Sequence, residues 1–91
     1  MYYIYILYSL KDKKLYIGLT PDLRNRMVKH NTGYVRSTKN RRPLKLIYYE
    51  AYTLRKDASR REKYLKSGAG RRELAKQLES IFDKLGYEYS K

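Results

Sequence analysis

The chain of 91 residues contains no cysteine and no tryptophan, and none of its apolar runs is long. Without cysteine it can form neither a disulfide nor a thiolate-bound metal site. Because no run of about 18 apolar residues is present, we expect no membrane span. The apolar stretch 2–8 is too short for a signal-peptide core, and no small-residue cleavage site follows it. These absences favour a cytoplasmic protein.

Acidic residues are also scarce, since nine Asp and Glu stand against 22 Lys and Arg and leave a net charge of +13. A positive field of this size on a small domain favours a polyanionic partner, most often nucleic acid. Three weaker alternatives are a solvated basic surface without a dedicated ligand, attachment to a membrane surface, and a structural role on an acidic protein or ribosomal RNA.

Tyrosine is abundant by contrast, with twelve residues against a single phenylalanine. A tyrosine ring supplies packing area and keeps a polar tip, so we expect several of these rings to be half-buried with their hydroxyls near water or a ligand. Apolar residues make up 42% of the chain, which is enough for a folded core. A chain of this length forms one domain, which we predict at residues 1–86, followed by a C-terminal tail at 87–91.

Two strands are predicted at the start of the chain. The β-forming stretch 2–8 is joined to a second one at 15–19 by a polar turn at 9–14. So short a connection requires the two strands to pair in antiparallel. Gly18 weakens the second strand, which indicates a bulge or a close approach of another part of the chain.

A helix is predicted next, with Thr20 as the cap of its free amide groups, the proline that follows at its first position and its end near His30. Leu23 and Met27 lie four residues apart and form its apolar face. Arg26 and His30 are also four apart, so their side chains should be neighbours at the edge of that face. This helix therefore places a cation beside the only histidine of the chain.

In the second half of the chain the spacing of apolar residues changes from two, which is typical of a strand, to values close to 3.6, which are typical of helices. These patterns predict, in order, a basic loop at 32–43, a strand at 44–52, a helix at about 53–66, a Gly-rich break at 67–70 and a helix at 71–85. In the strand, Leu44, Leu46 and Tyr48 are expected on one face. The order β-β-α-β-α-α indicates an α+β fold, a three-stranded antiparallel sheet flanked by three helices.

The chain resembles the GIY-YIG nuclease superfamily, in particular its small single-domain members. The residues behind this resemblance are the triplets Tyr3-Ile4-Tyr5 and Tyr16-Ile17-Gly18, followed by Arg26, His30 and Glu62. Tyr3 stands where the family usually has glycine, and the second triplet is intact. The resemblance covers roughly residues 2–85. It implies a three-stranded sheet flanked by helices, and hydrolysis of phosphodiester bonds in DNA rather than RNA with little sequence specificity.

The resemblance also implies a role for each motif residue. Glu62 would bind a divalent metal, Mg²⁺ or Mn²⁺, and Arg26 would stabilise the phosphate. Tyr5 or Tyr16 would take a proton from the attacking water, and His30 would support that transfer. Each residue also has an ordinary explanation. The glutamate could pair with a lysine four residues on, and the others could serve solvation, helix capping or packing.

A second signal is the run of basic residues between Leu23 and Tyr49, which no acidic residue interrupts. Such a surface would bind backbone phosphates without reading sequence, and a tyrosine among the cations could stack on an unpaired base. The alternative is a solvated, flexible loop. The nucleic-acid-binding residues predicted in this run are Arg24, Lys29, Tyr34, Arg36, Lys39, Arg41 and Arg42.

The chain departs from the family pattern after the glutamate. Many members place an asparagine about a dozen residues further on, whereas this stretch reads Arg72-Glu73-Leu74. A non-catalytic module that binds DNA or RNA through the same basic surface is therefore the alternative function. In either case we expect selectivity to come from nucleic-acid shape, from dimerisation or from a partner protein.

Overall fold

The computed structural model describes residues 1–87, so most of the tail predicted at 87–91 lies outside it. The elements in chain order are β1 (Tyr2–Ser9), β2 (Leu15–Thr20), α1 (Leu23–Asn31), a 3₁₀ turn (Lys39–Arg41), β3 (Leu44–Tyr52), α2 (Arg55–Leu65), α3 (Gly68–Gln77) and α4 (Glu79–Leu85). The sheet is antiparallel, with β1 in the centre and the order β2-β1-β3. The predicted α+β architecture is confirmed. Within residues 1–87 no helix is long and apolar enough to cross a membrane.

The central strand β1 is buried on both sides because helices cover both faces of the sheet. Ile4 and Ile6 point into a core that includes residues of α2, α3 and α4. Tyr5 and Leu7 point to the opposite face, where the apolar side of α1 packs. Since side chains alternate along a strand, this register places Tyr5 on the face that α1 covers.

An irregularity in β3 changes which of its side chains share a face. Ile6 pairs with Tyr48, but Leu7 pairs with Leu46, so Ile47 is the extra residue of a β-bulge. Leu46 packs on the α1 face, whereas Tyr48 packs with the core on the other face. The prediction that Tyr48 continues the face of Leu46 is therefore wrong, because a bulge reverses the alternation.

The start of α1 lies two residues later than predicted. Asp22, rather than Thr20, is its N-cap, and the Asp22 carboxylate accepts a hydrogen bond of 3.1 Å from the amide of Asn25. The Thr20 hydroxyl instead accepts a bond from the amide of Asp22 and so shapes the turn before the helix. The prediction of Thr20 as the cap is therefore wrong, although a side-chain oxygen two residues later still accepts a hydrogen bond from a free amide of the first turn.

The Gly-rich stretch predicted as a break is the beginning of α3. Ser67 caps this helix by accepting a hydrogen bond of 3.2 Å from the amide of Gly70. A Cβ on Gly70 would collide with the Tyr64 carbonyl and lie 2.6 Å from Cα of Leu65. The glycine is thus needed because α2 and α3 meet there backbone to backbone.

The single helix predicted at 71–85 is two helices in the structure. The backbone leaves helical geometry at Leu78, where φ is −110° and ψ is 25°, and this residue separates α3 from α4. The amphipathic stripe survives the break, since Leu74 and Phe82 are buried in the same core. Tyr87, which follows α4, packs its ring 4.8 Å from that of Phe82. The described helices therefore number four rather than three.

Candidate active site

Tyr5 lies at the centre of a polar cluster on the α1 face of the sheet. Its side chain is only 2% exposed, and its hydroxyl is 2.8 Å from Nε2 of His30. The His30 ring is fully buried, and its Nδ1 lies 2.7 Å from the hydroxyl of Thr38. The ring centroid of Tyr16 is 5.2 Å from that of His30. We name Tyr5, Tyr16, His30 and Thr38 the tyrosine–histidine cluster.

Strand pairing explains how the Tyr5 ring is accommodated. Tyr5 pairs with Gly18 of β2, and a Cβ on Gly18 would overlap the Tyr5 ring. The glycine therefore makes room for the phenol, which is one of the two explanations that its place in a strand suggested. Tyr16 lies two residues earlier and so faces the same side of β2. In the second triplet, Tyr16 therefore contributes a ring to the cluster, and Gly18 leaves the space that the Tyr5 ring occupies.

His30 comes from the last turn of α1, and the loop after the helix folds back over it. Thr38 is fully buried in this loop, and its hydroxyl also lies 3.5 Å from the Val35 carbonyl. One consistent set of donors runs from Tyr5 O–H to Nε2, from Nδ1–H to Thr38, and from Thr38 O–H to Val35. Sequence reasoning missed Thr38, because nothing in a polar loop distinguishes the one hydroxyl that becomes buried.

Burial and nearby charges shift the pKa values of His30 and Tyr5, and both shifts favour the neutral form. Desolvation, assisted by the positive charge of Arg26, lowers the pKa of His30 to about 4. Desolvation also raises the pKa of the Tyr5 phenol; Tyr16 and the charge of Glu62 add to the rise, and Arg26 opposes it. Both groups are therefore neutral near pH 7, so Tyr5 can pass a proton on but does not stand as a tyrosinate.

Glu62 approaches this cluster from α2. Its side chain is 23% exposed, and its carboxylate accepts a bond of 3.1 Å from Lys66, which is the helical ion pair considered from the sequence. Its charge nevertheless contributes to the raised pKa of the Tyr5 phenol. The charge of Arg26 acts on both Tyr5 and His30. Of the five motif residues, the two tyrosines and His30 are thus in direct contact, whereas Arg26 and Glu62 act on Tyr5 through their charges.

The donor atoms of this region suit one kind of metal ion. Among residues 1–87 no group of three or more His, Cys, Asp and Glu side chains could hold a metal. A hydrated Mg²⁺ needs only one or two carboxylates, because water and substrate phosphate complete its shell. Glu62 offers one partly exposed carboxylate, which fits such an ion and does not fit a tetrahedral site with four protein ligands.

The residues predicted to bind nucleic acid fall into two groups. Arg41 forms an ion pair of 2.5 Å with Asp12 and donates a bond to the Leu15 carbonyl, so it holds the loop to the β1–β2 turn. The hydrogen bond from Arg41 lowers the pKa of Asp12 to about 2. The Arg41 guanidinium is therefore already engaged with the protein. The other predicted residues are exposed: Arg24, Lys29, Tyr34, Arg36, Lys39 and Arg42.

Sequence reasoning also missed a second polar cluster, on the other face of the sheet. The Glu50 carboxylate accepts hydrogen bonds from the hydroxyls of Tyr48 and Tyr52, at 2.5 and 2.7 Å, and two bonds of 3.0 Å from Arg61. Arg61 also pairs with Glu73 at 2.9 Å. We name these five residues the glutamate–arginine cluster. It fastens α2 to β3 and so fixes the helix that bears Glu62.

The position where many family members have asparagine contributes packing in this chain. Leu74 is 1% exposed and belongs to the core on the α2 face of the sheet. Its neighbour Glu73 is directed at Arg61, within the glutamate–arginine cluster. The departure seen in the sequence is therefore real in the fold, since neither side chain offers a free amide to the motif residues.

Comparison with known proteins gives relatives of similar size. The family model described as "GIY-YIG catalytic domain" matches residues 1–75. A UPF0213 protein of Staphylococcus saprophyticus is 38% identical over 74 residues, which cover 80% of this chain and 89% of that protein. UPF0213 proteins of Clostridium perfringens (42% over 67 residues; 72% and 71%) and Pediococcus acidilactici (37% over 77 residues; 80% and 76%) are also similar. No solved structure matches.

Proposed function

Because this chain belongs to the GIY-YIG family of nuclease domains, we propose that it is a divalent-metal-dependent endonuclease that hydrolyses phosphodiester bonds in DNA. The observation that supports this most is the hydrogen bond between Tyr5 and His30 beside the Tyr16 ring. At this site the charges of Arg26 and Glu62 both act on the Tyr5 phenol. These groups match what phosphodiester hydrolysis needs, namely a proton acceptor and charge stabilisation. The enzyme would act in the cytoplasm, with selectivity from DNA shape, a second copy or a partner protein.

Arg26 is the group that binds the scissile phosphate. Its guanidinium is half-buried on α1 and can hold two phosphate oxygens through parallel N–H bonds. Its charge lowers the pKa of His30 while no anion is present. A bound phosphate offsets that charge, so the His30 imidazole becomes a better proton acceptor once the substrate is in place. Substrate binding and base activation are coupled in this way.

Tyr16 is the phenol that faces the reaction, because it is half-exposed while Tyr5 is buried. It takes a proton from the attacking water as its own proton passes to Tyr5, and the Tyr5 proton passes to Nε2 of His30. One proton leaves the water and one arrives on the imidazole. Thr38 accepts from Nδ1–H and thereby keeps the ring in the tautomer whose Nε2 is free to accept.

Glu62 is the residue that would hold Mg²⁺ or Mn²⁺. When bound there, the ion would supply Lewis-acid stabilisation of the charge that develops on the phosphate. Glu62 would exchange its ion pair with Lys66 for the metal, and the released ammonium would face the same phosphate-rich region. A partly exposed pair of this kind is weak, so the exchange opposes metal binding only slightly.

A non-catalytic module that binds DNA or RNA is the second candidate. Two observations favour it: Glu62 is already paired with Lys66, and the buried Leu74 replaces the asparagine of many relatives. Such a module would use the exposed cations of α1 and the following loop, and its affinity would fall steeply with salt. It would release no product in any divalent metal.

A cleavage assay on branched, nicked and single-stranded DNA, and on RNA, separates the two candidates. We expect products that require Mg²⁺ or Mn²⁺ and that fall at least about 100-fold in Glu62→Gln. The control is Glu79→Gln, which removes an exposed helical carboxylate from α4 and should cleave like the wild type. Undiminished cleavage by Glu62→Gln would refute the metal assignment, and binding without cleavage in every metal would support the second candidate.

A further inference from the structure

The outward face of α2 forms an open groove that the proposed catalytic groups use only at Glu62. The groove has a volume of about 810 Å³, and its lining includes Glu62 and five basic residues, namely Arg55, Lys56, Arg60, Lys63 and Lys66. The inward face of the same helix buries Ala58 and Leu65. Every basic side chain of the groove is therefore held at the surface by a helix that is itself anchored in the core.

Most of this positive charge is not neutralised by the protein. Two of the five cations have partners, since Arg60 pairs with Asp57 and Lys66 with Glu62. Within the part of the chain that the structure describes, no carboxylate forms an ion pair with the remaining three, Arg55, Lys56 and Lys63. Lys56 and Arg60 lie four residues apart, where like charges repel along a helix. A bound polyanion would relieve this repulsion.

The groove adjoins the proposed cleavage site from a direction that the other basic residues do not cover. Glu62, the proposed metal-binding residue, is itself part of the groove lining. The cations of α1 and its loop belong to one face of the sheet, whereas α2 packs on the other. From Arg55 to its C-cap Lys66 the helix rises about 16 Å, which is the axial length of about five base pairs.

We propose that the α2 groove binds the sugar–phosphate backbone of the nucleic acid on the far side of the scissile bond from the loop cations. This inference rests on the proposed function, because it requires a nucleic acid strand to be held at Glu62. Point charges on a helix face bind phosphates without reading base edges. The groove therefore adds affinity and lengthens the footprint, and it adds no sequence preference.

Fluorescence anisotropy with a short labelled DNA duplex, in EDTA to prevent cleavage, tests the groove. The test variant is Arg55→Gln/Lys56→Gln/Lys63→Gln. A matched control, Lys14→Gln/Lys76→Gln/Lys84→Gln, removes the same charge from exposed positions on the β1–β2 turn, α3 and α4. We expect the test variant to bind about 10- to 100-fold more weakly and to reduce the slope of log affinity against log salt by roughly 2 to 3. In the control variant both the affinity and the salt slope should change far less.

The outcomes distinguish this inference from the proposal it rests on. If the wild type binds and the test variant keeps its affinity and salt slope, the groove is not a phosphate site and the proposed nuclease function stands. Equal losses of affinity in both triple variants would likewise overturn this inference, because the change in net charge alone would then explain the losses. If the wild type binds no nucleic acid, the groove and the proposed function both fail. Thermal melting of each variant confirms that the substituted proteins are folded.

Discussion

Two polar clusters lie on opposite faces of the sheet, and both are built on tyrosines. In the glutamate–arginine cluster the Glu50 carboxylate accepts four hydrogen bonds, two of them from a guanidinium. In the tyrosine–histidine cluster the buried His30 bonds to two hydroxyls, with no carboxylate partner among residues 1–87, and the charge that acts on it is the positive charge of Arg26. One cluster is charged and paired, and the other is neutral.

Both pKa shifts are downward, but they differ in cause, and they favour the charged form of Glu50 and the neutral form of His30. Desolvation would raise the pKa of Glu50, but the hydrogen bonds from Arg61, Tyr48 and Tyr52 outweigh it, and the pKa is lowered. For His30 desolvation wins, and its pKa falls to about 4. A group shifted by pairing is fixed in one protonation state, whereas neutral groups in a hydrogen-bonded row can exchange protons. We therefore assign a structural role to the first cluster and a chemical role to the second.

The largest effect that separates the clusters should be on the rate of cleavage. Tyr16→Phe keeps the ring and removes the hydroxyl, so we expect single-turnover cleavage to fall about 10²- to 10⁴-fold with a change of less than about 1 kcal/mol in the free energy of unfolding. Tyr48→Phe is the matched change in the glutamate–arginine cluster and should cleave near the wild-type rate. An equal loss of rate in both variants would remove the distinction.

The next largest effect should be a loss of stability in mild acid that depends on His30. Its pKa is about 4 in the folded protein and about 6.5 in an unfolded chain. The unfolded chain therefore binds more protons between these values, so the stability present above pH 6.5 is lost as the pH falls toward 4, in total about 3 kcal/mol. Urea unfolding between about pH 7 and pH 4.5 measures it.

The control for this pH dependence is His30→Gln, which removes the only histidine. The pKa values of Asp12 and Glu50 are lowered, so these carboxylates lose their stabilising contribution as the pH falls from the ordinary carboxyl value of about 4 toward their lowered values. The slope between about pH 4.5 and 6.5 should therefore disappear in the variant. A slope that persists in His30→Gln would show that another group is responsible.

A smaller effect, on stability, should distinguish Glu50 from Glu62. Glu50→Gln leaves the Arg61 guanidinium with only Glu73 as a charged partner, and we expect it to destabilise the fold by about 1–3 kcal/mol. Glu62→Gln breaks a partly exposed pair with Lys66 and should change stability by less than about 0.5 kcal/mol. Denaturant unfolding measures both. Equal losses would mean that Glu62 is as structural as Glu50.

The smallest effect should come from Thr38. Thr38→Val removes the acceptor of the Nδ1–H bond, and we expect a loss of about 1 kcal/mol in stability. Thr38→Ser retains the hydroxyl and should restore most of it. The ¹⁵N chemical shifts of the His30 ring should show the Nδ1–H tautomer in the wild type and in Thr38→Ser, and a mixture in Thr38→Val. An Nε2–H tautomer in the wild type would reverse the proposed proton transfer.

Local geometry explains why much of the tyrosine–histidine cluster was predictable. Alternation along a strand decides the face of Tyr5, and the four-residue spacing on a helix makes Arg26 and His30 neighbours. Both relations depend on residues close in sequence. The approach of Glu62 depends on how α2 docks, and only the resemblance to the family indicated it. The same local rules also predicted β3, whose bounds match the structure.

The features that sequence reasoning missed depend on contacts between distant residues. The bulge at Ile47 turns Tyr48 and Glu50 toward the helices, and nothing in the alternation of the strand marks that bulge. Arg41 belongs to an uninterrupted basic run, but its partner Asp12 lies 29 residues away in the β1–β2 turn. Thr38 is buried only because its loop folds back over α1. The sequence shows which residues carry charges and hydroxyl groups, but it does not show which of them bond to distant parts of the protein.

The most direct test of the central claim is a crystal of the wild-type protein soaked with Mn²⁺ and examined by anomalous scattering. Our account predicts one strong peak within coordination distance of the Glu62 carboxylate, on the side of the Tyr16 hydroxyl, and no peak at Glu50 or Glu73. Manganese bound elsewhere, with Glu62 still paired to Lys66, would contradict it.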